Sequence, residues 1–280
     1  MIQKLKIICD ETEWLYAPDE EYADNNGCKR YLQMIFPFRR IWEQNEKFPL
    51  ILFIPGSAWH RQEMYNNIPQ YTHIAERGIF FAAMQYRESD IATFPAQIYD
   101  VHKAISYLIK NADKFHIDTN RIFLAGNSSG GHIALMASFT KAHGLYFNNN
   151  FSSYIIRGII AESAPTDLML CQSEILPPWM KTRPSGDLLG VTSVSDNREL
   201  AKKASCGLYI EKEVKLPPVL LLHGDKDSVV SVEHSRNLYE MLTSNQHAVT
   251  YYELEGASHG GAAFWTDSII DIIEKFVQNS

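Results

Sequence analysis

The run of residues 126–131, with the sequence GNSSGG, limits what this chain can fold into more than any other stretch. Residues 121–125 before it are largely apolar and predict a buried strand, and residues 132–139 after it predict an apolar helix. A Gly-x-Ser-x-Gly pattern at such a junction indicates a sharp turn, because side chains at the glycine positions would collide with neighbouring segments. The turn raises the serine hydroxyl above the edge of a sheet.

The spacing of the glycines favours Ser128 over Ser129 as a nucleophile. Gly126 and Gly130 flank Ser128 at a distance of two residues on either side, as the pattern requires. The N–H of Ser129 would then lie free at a helix N-terminus, where it can stabilise a developing oxyanion. The alternative is a Gly- and Ser-rich turn that only joins a strand to a helix.

Strand and helix patterns alternate along the chain and predict an α/β fold. Continuous apolar runs indicate strands covered on both faces, and the runs between them indicate helices. We therefore expect a mostly parallel sheet with helices on both faces, in a single domain over residues 1–280. Strands are predicted at 30–36, 50–54, 79–85, 121–125, 155–161, 218–223 and 249–254, and helices at 64–77, from Pro95 onward, from 132 to about 143, at 231–244 and at 265–278.

Charge and cysteine content argue against several classes of protein. The net charge is −7 and no dense basic run occurs, so nucleic acid and membrane surfaces are not expected partners. The four cysteines are scattered without a C-x-x-C pair, which argues against a metal site and a disulfide framework. The N-terminus lacks the apolar region of a signal peptide and no run suits a membrane helix, so we expect a cytoplasmic protein.

A serine hydroxyl needs a base within hydrogen-bond reach, and His259 is the predicted base. In a parallel sheet, side chains that follow neighbouring strands gather at one edge, so the partners of Ser128 should come directly after later strands. His259 lies on a glycine-flanked loop after the last predicted strand. A surface histidine at a turn is the alternative. His132 and His223 stand beside motif residues and are predicted to support loops by hydrogen bonding.

The group that orients the base is predicted after the strand at 218–223. Asp225 and Asp227 both follow this strand. Asp225 is expected to hold its own turn through local backbone bonds. Asp227 lies farther out and is the predicted acid, whose role is to fix the histidine tautomer and stabilise the imidazolium. The chain order of serine, acid and histidine is typical of α/β-hydrolases.

A second N–H donor for an oxyanion is predicted in the loop after the strand at 50–54. Gly56, Ser57 and Ala58 are small residues that let a substrate approach the backbone, and the role is assigned to the three together. An ordinary turn is the alternative. Trp59 either lines an acyl pocket or packs against the edge of the sheet.

Residues 168–200 contain several prolines and polar residues and are predicted to be irregular. Long excursions in α/β domains are often functional, so this segment is a candidate cap or lid over the site. Trp179 within it is a candidate substrate contact. A plain surface connection is the alternative.

Six segments carry a family resemblance: 55–59 (PGSAW), 94–101 (FPAQIYDV), 126–131, 164–168 (APTDL), 223–227 (HGDKD) and 256–261 (GASHGG). With them in place, residues 28–278 resemble the α/β-hydrolase superfamily, and more narrowly the acetyl- and feruloyl-esterase group near the hormone-sensitive-lipase-like esterases. Relatives usually carry His-Gly-Gly-Gly at the oxyanion loop, where this chain has Pro55 and Ser57. Many relatives have alanine at the position of Ser129, whose hydroxyl would contact substrate or cap the helix.

The resemblance implies a serine carboxylesterase that hydrolyses acyl esters, with acetyl favoured, on small molecules or plant-polysaccharide-derived oligosaccharides. It implies no cofactor. A feruloyl esterase or an arylformamidase-like amidase would use the same triad, and a non-catalytic small-molecule-binding protein would keep only the fold. Fold does not fix substrate. A homo-oligomer is compatible with the sequence.

Overall fold

The computed structural model describes residues 2–6, 12–25, 27–38, 46–173 and 183–280. Within these ranges eight strands form one sheet in the order β1-β2-β4-β3-β5-β6-β7-β8. The first two strands and the β2–β4 pair are antiparallel, and every other neighbouring pair is parallel. The strands are β1 (Glu13–Asn25), β2 (Cys28–Phe38), β3 (Phe48–Ile54), β4 (Phe80–Met84), β5 (Ile117–Asn127), β6 (Ile156–Glu162), β7 (Val219–Gly224) and β8 (Val249–Leu254).

Helices cover both faces of the sheet, as the apolar strands require. Side chains alternate along β3, so that Leu50 and Leu52 pack into one core and Ile51 and Phe53 into the other. No helix in the described ranges has the length and apolar character that crossing a bilayer would take. The helices are α1 (Ile68–Glu76), α2 (Ala96–Lys110), α3 (Ser129–Ala142), α4 (Leu168–Ser173), α5 (Pro184–Leu189), α6 (Arg198–Lys203), α7 (Glu233–Ser244) and α8 (Asp267–Asn279).

The two cores have different helical partners. One contains buried residues of α2, α3 and α7, and the other contains buried residues of α1 and α8. The predicted α/β fold with a mostly parallel sheet and helices on both faces is thus confirmed. The predicted strands and long helices lie within a few residues of the observed ones, while the extent of the domain over 1–280 stays a prediction.

Strand β1 was not expected from the sequence. Most of its residues are exposed, and Pro18 and a cluster of acids interrupt any apolar pattern. Among the described residues it pairs only with β2 and forms one edge of their sheet, with irregular register between Ala17 and Glu20. An edge strand buries little surface, so its sequence carries little of the hydrophobic signal that reveals a central strand.

Residues 168–200 are more regular than predicted. The described part contains α4, α5, a short 3-10 helix at Val194–Asn197 and the start of α6. These helices have six residues or fewer, which is too short for a helical repeat of apolar residues to stand out in a sequence. Residues 174–182, including Trp179, lie outside the described residues.

One buried carboxylate joins three elements at the side of the sheet near β2. Asp100 of α2 has no exposed side-chain surface. Both of its oxygens accept hydrogen bonds from Arg87 Nε, at 3.1 and 2.9 Å, and Oδ2 also accepts from the Arg87 backbone N–H. Arg30 of β2, 1% exposed, places its Nε 3.5 Å from Oδ1. Asp100 therefore connects α2 to β2 and to the segment after β4.

We expect Asp100→Asn to lower the free energy of unfolding by about 3–5 kcal/mol, because it leaves two guanidinium charges without their shared counter-charge. Urea unfolding at pH 7, followed by circular dichroism, measures the change. Asp113→Asn is the matched control, since Asp113 is exposed and pairs with Lys47. This variant should unfold at the same urea concentration as the wild type. A midpoint for Asp100→Asn equal to that of the control would contradict this account.

Candidate active site

A strained turn between β5 and α3 holds Ser128. Its φ of +53° and ψ of −128° lie outside the regions that L-residues favour. Gly126 and Gly130 make this turn feasible, since a Cβ at Gly126 would lie 2.5 Å from the Gly130 backbone. A Cβ at Gly130 would lie 1.8 Å from the carbonyl oxygen of Ile54. The glycine spacing that selected Ser128 thus reflects two close backbone contacts.

The structure brings the predicted serine, histidine and aspartate together. His259 Nε2 lies 3.1 Å from Ser128 Oγ, and His259 Nδ1 lies 2.7 Å from Asp227 Oδ2. A carboxylate can only accept, so Nδ1 carries the proton and Nε2 is the free acceptor for the serine O–H. The side chain of Asp227 is fully buried and that of His259 is 21% exposed. This arrangement can remove the proton of Ser128.

Asp227 is held by four hydrogen bonds. Oδ1 accepts from the backbone N–H groups of Val229 and Val230, each at 2.9 Å. Oδ2 accepts from His259 and from His223 Nε2, the latter at 3.2 Å. Burial alone would raise the pKa of Asp227, but the bonds from His223, His259 and Val230 outweigh it and hold that pKa well below the usual range. Asp227 therefore stays an anion that fixes the orientation of His259.

His223 has a larger role than the predicted support of a loop. Its Nδ1 contacts Ser235 Oγ at 2.8 Å, and its Nε2 donates to the Val230 carbonyl oxygen at 3.0 Å as well as to Asp227. Asp225 has a partner outside its own turn as well, because its Oδ1 accepts from the N–H of Gly256 at 2.6 Å. That bond ties the loop of the acid to the loop of the base.

The loop after β3 has only part of its backbone donors available. The N–H of Gly56 donates to Asn127 Oδ1 at 2.8 Å, and that of Ser57 donates to Ser129 Oγ at 2.9 Å. Within the part of the chain that the structure describes, the Ala58 N–H has no acceptor. Ser129 is the first residue of α3, where an N–H has no acceptor inside its helix. Of the three predicted oxyanion donors at 56–58, only the N–H of Ala58 is therefore available, together with the N–H of Ser129.

A chain of hydroxyl groups holds this loop in place. Ser57 Oγ donates to the carbonyl oxygen of His60 at 2.6 Å, so its contact with Tyr86 OH at 2.8 Å is one in which Tyr86 donates. Tyr86 OH then accepts from Ser129 Oγ at 3.3 Å. The Ser129 hydroxyl thus accepts from the Ser57 N–H and donates to Tyr86 OH. Sequence reasoning missed Tyr86 and Asn127, and the only signal for either is its place after a strand.

Trp59 is buried in the core and also borders a cavity. Its indole Nε1 donates to His132 Nδ1 at 3.1 Å, and His132 Nε2 donates to the carbonyl oxygen of Ala204 at 2.7 Å. Burial lowers the pKa of His132 to about 4, so this histidine is a neutral support. Trp59 also lines a cavity of about 60 Å³ beside Ser128. Its described lining is Ala58, Trp59, Ser128, Ser129, Pro165, Cys171, Arg183, Pro184, Ser185, Val229 and Val230.

Residues of the segment predicted as a cap border the same cavity as Ser128. Arg183, Pro184 and Ser185 all belong to that segment and border the cavity. The candidate contact Trp179 lies outside the described residues. In the ranges that are described, no cluster of three or more His, Cys, Asp or Glu side chains is arranged to hold a metal ion.

The sequence matches the family model BD-FAE over residues 41–242, which is more than half of the chain. The chain belongs to the BD-FAE family. Among curated proteins, this BD-FAE chain is 27% identical to the esterase LipC of Mycobacterium tuberculosis over 235 residues, covering 81% of this chain and 57% of LipC. It spans about half the length of the curated relatives it matches.

Two solved structures are similar to the structure of this BD-FAE chain. A truncated carbohydrate esterase from gut microbiota aligns with a TM-score of 0.80 at 23% identity, over 98% of both chains. An acetyl ester-xyloside bifunctional hydrolase from Caldicellulosiruptor lactoaceticus aligns with a TM-score of 0.73 at 21% identity, over 94% of this chain and 95% of that one. At these identities the likeness establishes the α/β-hydrolase fold.

Glu162 of this BD-FAE chain contacts Ser128 through its backbone and has a buried carboxyl group. The backbone oxygen of Glu162, at the end of β6, accepts from the Ser128 N–H at 2.7 Å. Its side chain is 4% exposed. By strand alternation it lies on the same face as Ile160, the face that α1 and α8 cover. Burial raises the pKa of Glu162 to about 8, so the group is protonated near neutral pH.

We expect Glu162→Gln to remove the decrease in the free energy of unfolding that ionisation of this carboxyl group causes as the pH rises. A carboxyl whose folded pKa is raised stabilises the fold below its ordinary pKa of 4.5, and this contribution falls as the pH rises toward 8. At pH 8 the variant should exceed the wild type by up to about 5 kcal/mol, at 1.36 kcal/mol per pKa unit. Urea unfolding at pH 5, 6, 7 and 8 measures the difference.

Glu63→Gln is the control for this measurement, because Glu63 is exposed. It should keep the wild-type decline in unfolding free energy between pH 5 and pH 8. If Glu162→Gln showed the same decline as this control, Glu162 would not be the group that titrates.

Proposed function

We propose that this chain is a serine esterase that hydrolyses short acyl esters, acetyl above all, on plant-polysaccharide-derived oligosaccharides. The observation that carries the proposal is the hydrogen-bonded series Ser128–His259–Asp227, with Nε2 of the histidine directed at the serine hydroxyl. An imidazole held in this tautomer by a buried carboxylate is what converts a weak hydroxyl into a nucleophile.

In the first half of the proposed reaction, Ser128 Oγ attacks the ester carbonyl carbon while its proton moves to His259 Nε2. The tetrahedral intermediate collapses when the C–O bond to the alcohol breaks and Nε2 returns the proton to the leaving oxygen. Nδ1 keeps its proton throughout, because Asp227 stays ionised and stabilises the imidazolium. An acyl group remains on Ser128.

In the second half, water takes the place of the alcohol. His259 Nε2 accepts a proton from the water, whose oxygen attacks the acyl carbon. The second tetrahedral intermediate releases the carboxylic acid when the bond to Ser128 Oγ breaks and Nε2 returns the proton to Oγ. The steps consume one water per ester and restore the enzyme.

The oxyanion of both intermediates would accept from the N–H groups of Ala58 and Ser129. Both residues line the cavity beside Ser128. The N–H groups of Gly56 and Ser57 are engaged with Asn127 and Ser129, so they support the loop instead. Donors that are fixed before the substrate arrives need no reorganisation when negative charge develops.

The size of the cavity favours a short acyl group. A volume of about 60 Å³ has room for only a few heavy atoms, since one water-sized probe occupies about 10–15 Å³. An acetyl group fits within this volume, and a feruloyl group, with its aromatic ring, would extend beyond it. A carbohydrate esterase and an acetyl ester-xyloside hydrolase are among the similar structures, which supports sugar acetates as the substrate class.

We expect Ser128→Ala to lower kcat/KM for p-nitrophenyl acetate by at least about 1,000-fold, because the nucleophile is gone while the binding surface remains. Ser138→Ala is the matched control on α3. The Ser138 hydroxyl is buried, and among the described residues it has no hydrogen-bond partner, so this variant should turn over like the wild type.

The same assay run on p-nitrophenyl butyrate, methyl ferulate and acetylated xylo-oligosaccharides tests the acyl group and the alcohol. Full turnover by Ser128→Ala would overturn the esterase proposal. Turnover of methyl ferulate at a kcat/KM equal to that of the acetates would overturn the short-acyl assignment and leave the serine mechanism standing.

We expect Ser129→Ala to lower kcat on p-nitrophenyl acetate about 10-fold with a smaller change in KM, because the Ser57 N–H loses its acceptor and Ala58 is no longer held in position. The effect should be smaller than the roughly 100- to 1,000-fold loss that removal of an oxyanion donor causes. Tyr86→Phe keeps the bond between Ser57 and Ser129 and serves as the comparison, with a milder loss. An unchanged kcat in Ser129→Ala would contradict this account, because the position of Ala58 would then not depend on the bond from the Ser57 N–H to the Ser129 hydroxyl.

A further inference from the structure

A second cavity, of about 450 Å³, lies between β1, α2 and the loop after α3. Tyr99, Lys103, Tyr107 and Lys110 line it from α2 at intervals of four, four and three residues, so one face of the helix forms its floor. Arg87, from the segment after β4, completes the group of cationic residues on the lining. None of these residues takes part in the proposed hydrolysis.

Positive charge exceeds negative charge around this cavity. Asp100 is the shared carboxylate of Arg30 and Arg87, so it cannot neutralise both. Arg30 is 1% exposed, and its Nε and Nη2 have no hydrogen-bond partner among the described residues. Lys103 Nζ bonds a neutral group, Asn25 Oδ1, at 2.6 Å. This excess stands out in a chain whose net charge is −7.

The environment of Lys103 also has more positive than negative charge. Burial lowers the pKa of Lys103, the charges of Arg30 and Arg87 lower it further, and Asp100 opposes them. The other acid nearby, Glu20, accepts a hydrogen bond from Tyr107 OH and lies 3.4 Å from Lys114 Nζ. An anion beside Lys103 would relieve the repulsion among these cations.

The rest of the lining is suited to a sugar ring. Tyr99 and Phe151 stack with ring centroids 6.4 Å apart and form an aromatic wall. Asn25, Asn148 and Asn150 add amide groups, which can both donate to and accept from hydroxyl groups. A flat aromatic surface packs against the C–H face of a pyranose, while the amides take its hydroxyls.

We propose that this cavity binds a hexuronate residue of an acidic oligosaccharide, with its carboxylate paired to Lys103. Inorganic phosphate alone would use the cations but leave the aromatic wall and the amides without a role. The choice of a polysaccharide ligand rests on the proposed function, while the preference for an anion rests on the charges themselves.

A surface groove leads from this cavity toward the oxyanion loop. The groove is formed by residues 87–96 and shares Arg87 and Tyr99 with the cavity. His60, two residues after Ala58, contacts Ser89 Oγ at 3.2 Å and Asp90 Oδ2 at 3.3 Å in the groove wall. An oligosaccharide held by its uronate can therefore extend along the groove to the segment that His60 contacts.

Isothermal titration calorimetry at low ionic strength and pH 7 tests the proposal with methyl β-D-glucuronide, methyl β-D-glucoside and inorganic phosphate. We expect the glucuronide to bind at least about fivefold more tightly than the glucoside, which is the effect of about 1 kcal/mol from one partly exposed ion pair. Lys103→Gln should abolish this preference. Lys212→Gln, the same change at an exposed site elsewhere, should retain it.

If Lys103→Gln does not fold, Lys110→Gln takes its place, because Lys110 is exposed and its loss should reduce the preference about twofold. Equal affinity for the two glycosides, or an unchanged preference in both lysine variants, would overturn the proposal. Phosphate that displaces the glucuronide at equal concentration would also overturn it, since the site would then recognise any anion.

Hydrolysis of p-nitrophenyl acetate by the same wild-type preparation is measured separately. Absent hydrolysis with a retained preference for the glucuronide would overturn the esterase and leave the uronate site standing. Hydrolysis without that preference would overturn the uronate site alone.

Discussion

The backbone of the turn after β5 lies in direct contact with the end of β3, and the site depends on this approach. No side chain can be placed at Gly130, because its Cβ would overlap the carbonyl of Ile54. The contact sets the loop that carries Ala58 beside the turn that carries Ser128. Once the two segments touch, Asn127 and Ser129 can accept from the N–H groups of Gly56 and Ser57. Close packing of backbone thus sets the polar contacts between these two segments.

A second junction supplies the rest of the site. The loops after β7 and β8 are joined by the bond from Gly256 to Asp225, and Asp227 and His259 project from these joined loops. Asp227 has all of its acceptor positions filled, so it has one orientation and one charge state. The hydrogen bond from His259 Nδ1 to Asp227 Oδ2 then fixes the orientation of the imidazole ring.

The central strands and the turn that carries Ser128 could be predicted from the sequence, because residues within each segment determine its local structure. β3, β7 and the Ile122–Gly126 part of β5 are buried on both faces, so their apolar runs are nearly continuous. The glycines around Ser128 are required by local geometry. By contrast, the roles of Tyr86, Asn127 and Glu162 arise from segments that meet only in the folded sheet, and no spacing in the chain encodes such a meeting. The helices α4 to α6 are too short for their period to be read.

The outer edge of the sheet has a consequence for association between copies. β1 carries Glu13, Asp19, Glu20, Glu21 and Asp24 and no basic residue. Two such strands from identical chains would bring acidic side chains close together, and like charges on facing strands disfavour pairing. The acidic edge therefore disfavours an extension of the sheet between copies of this protein.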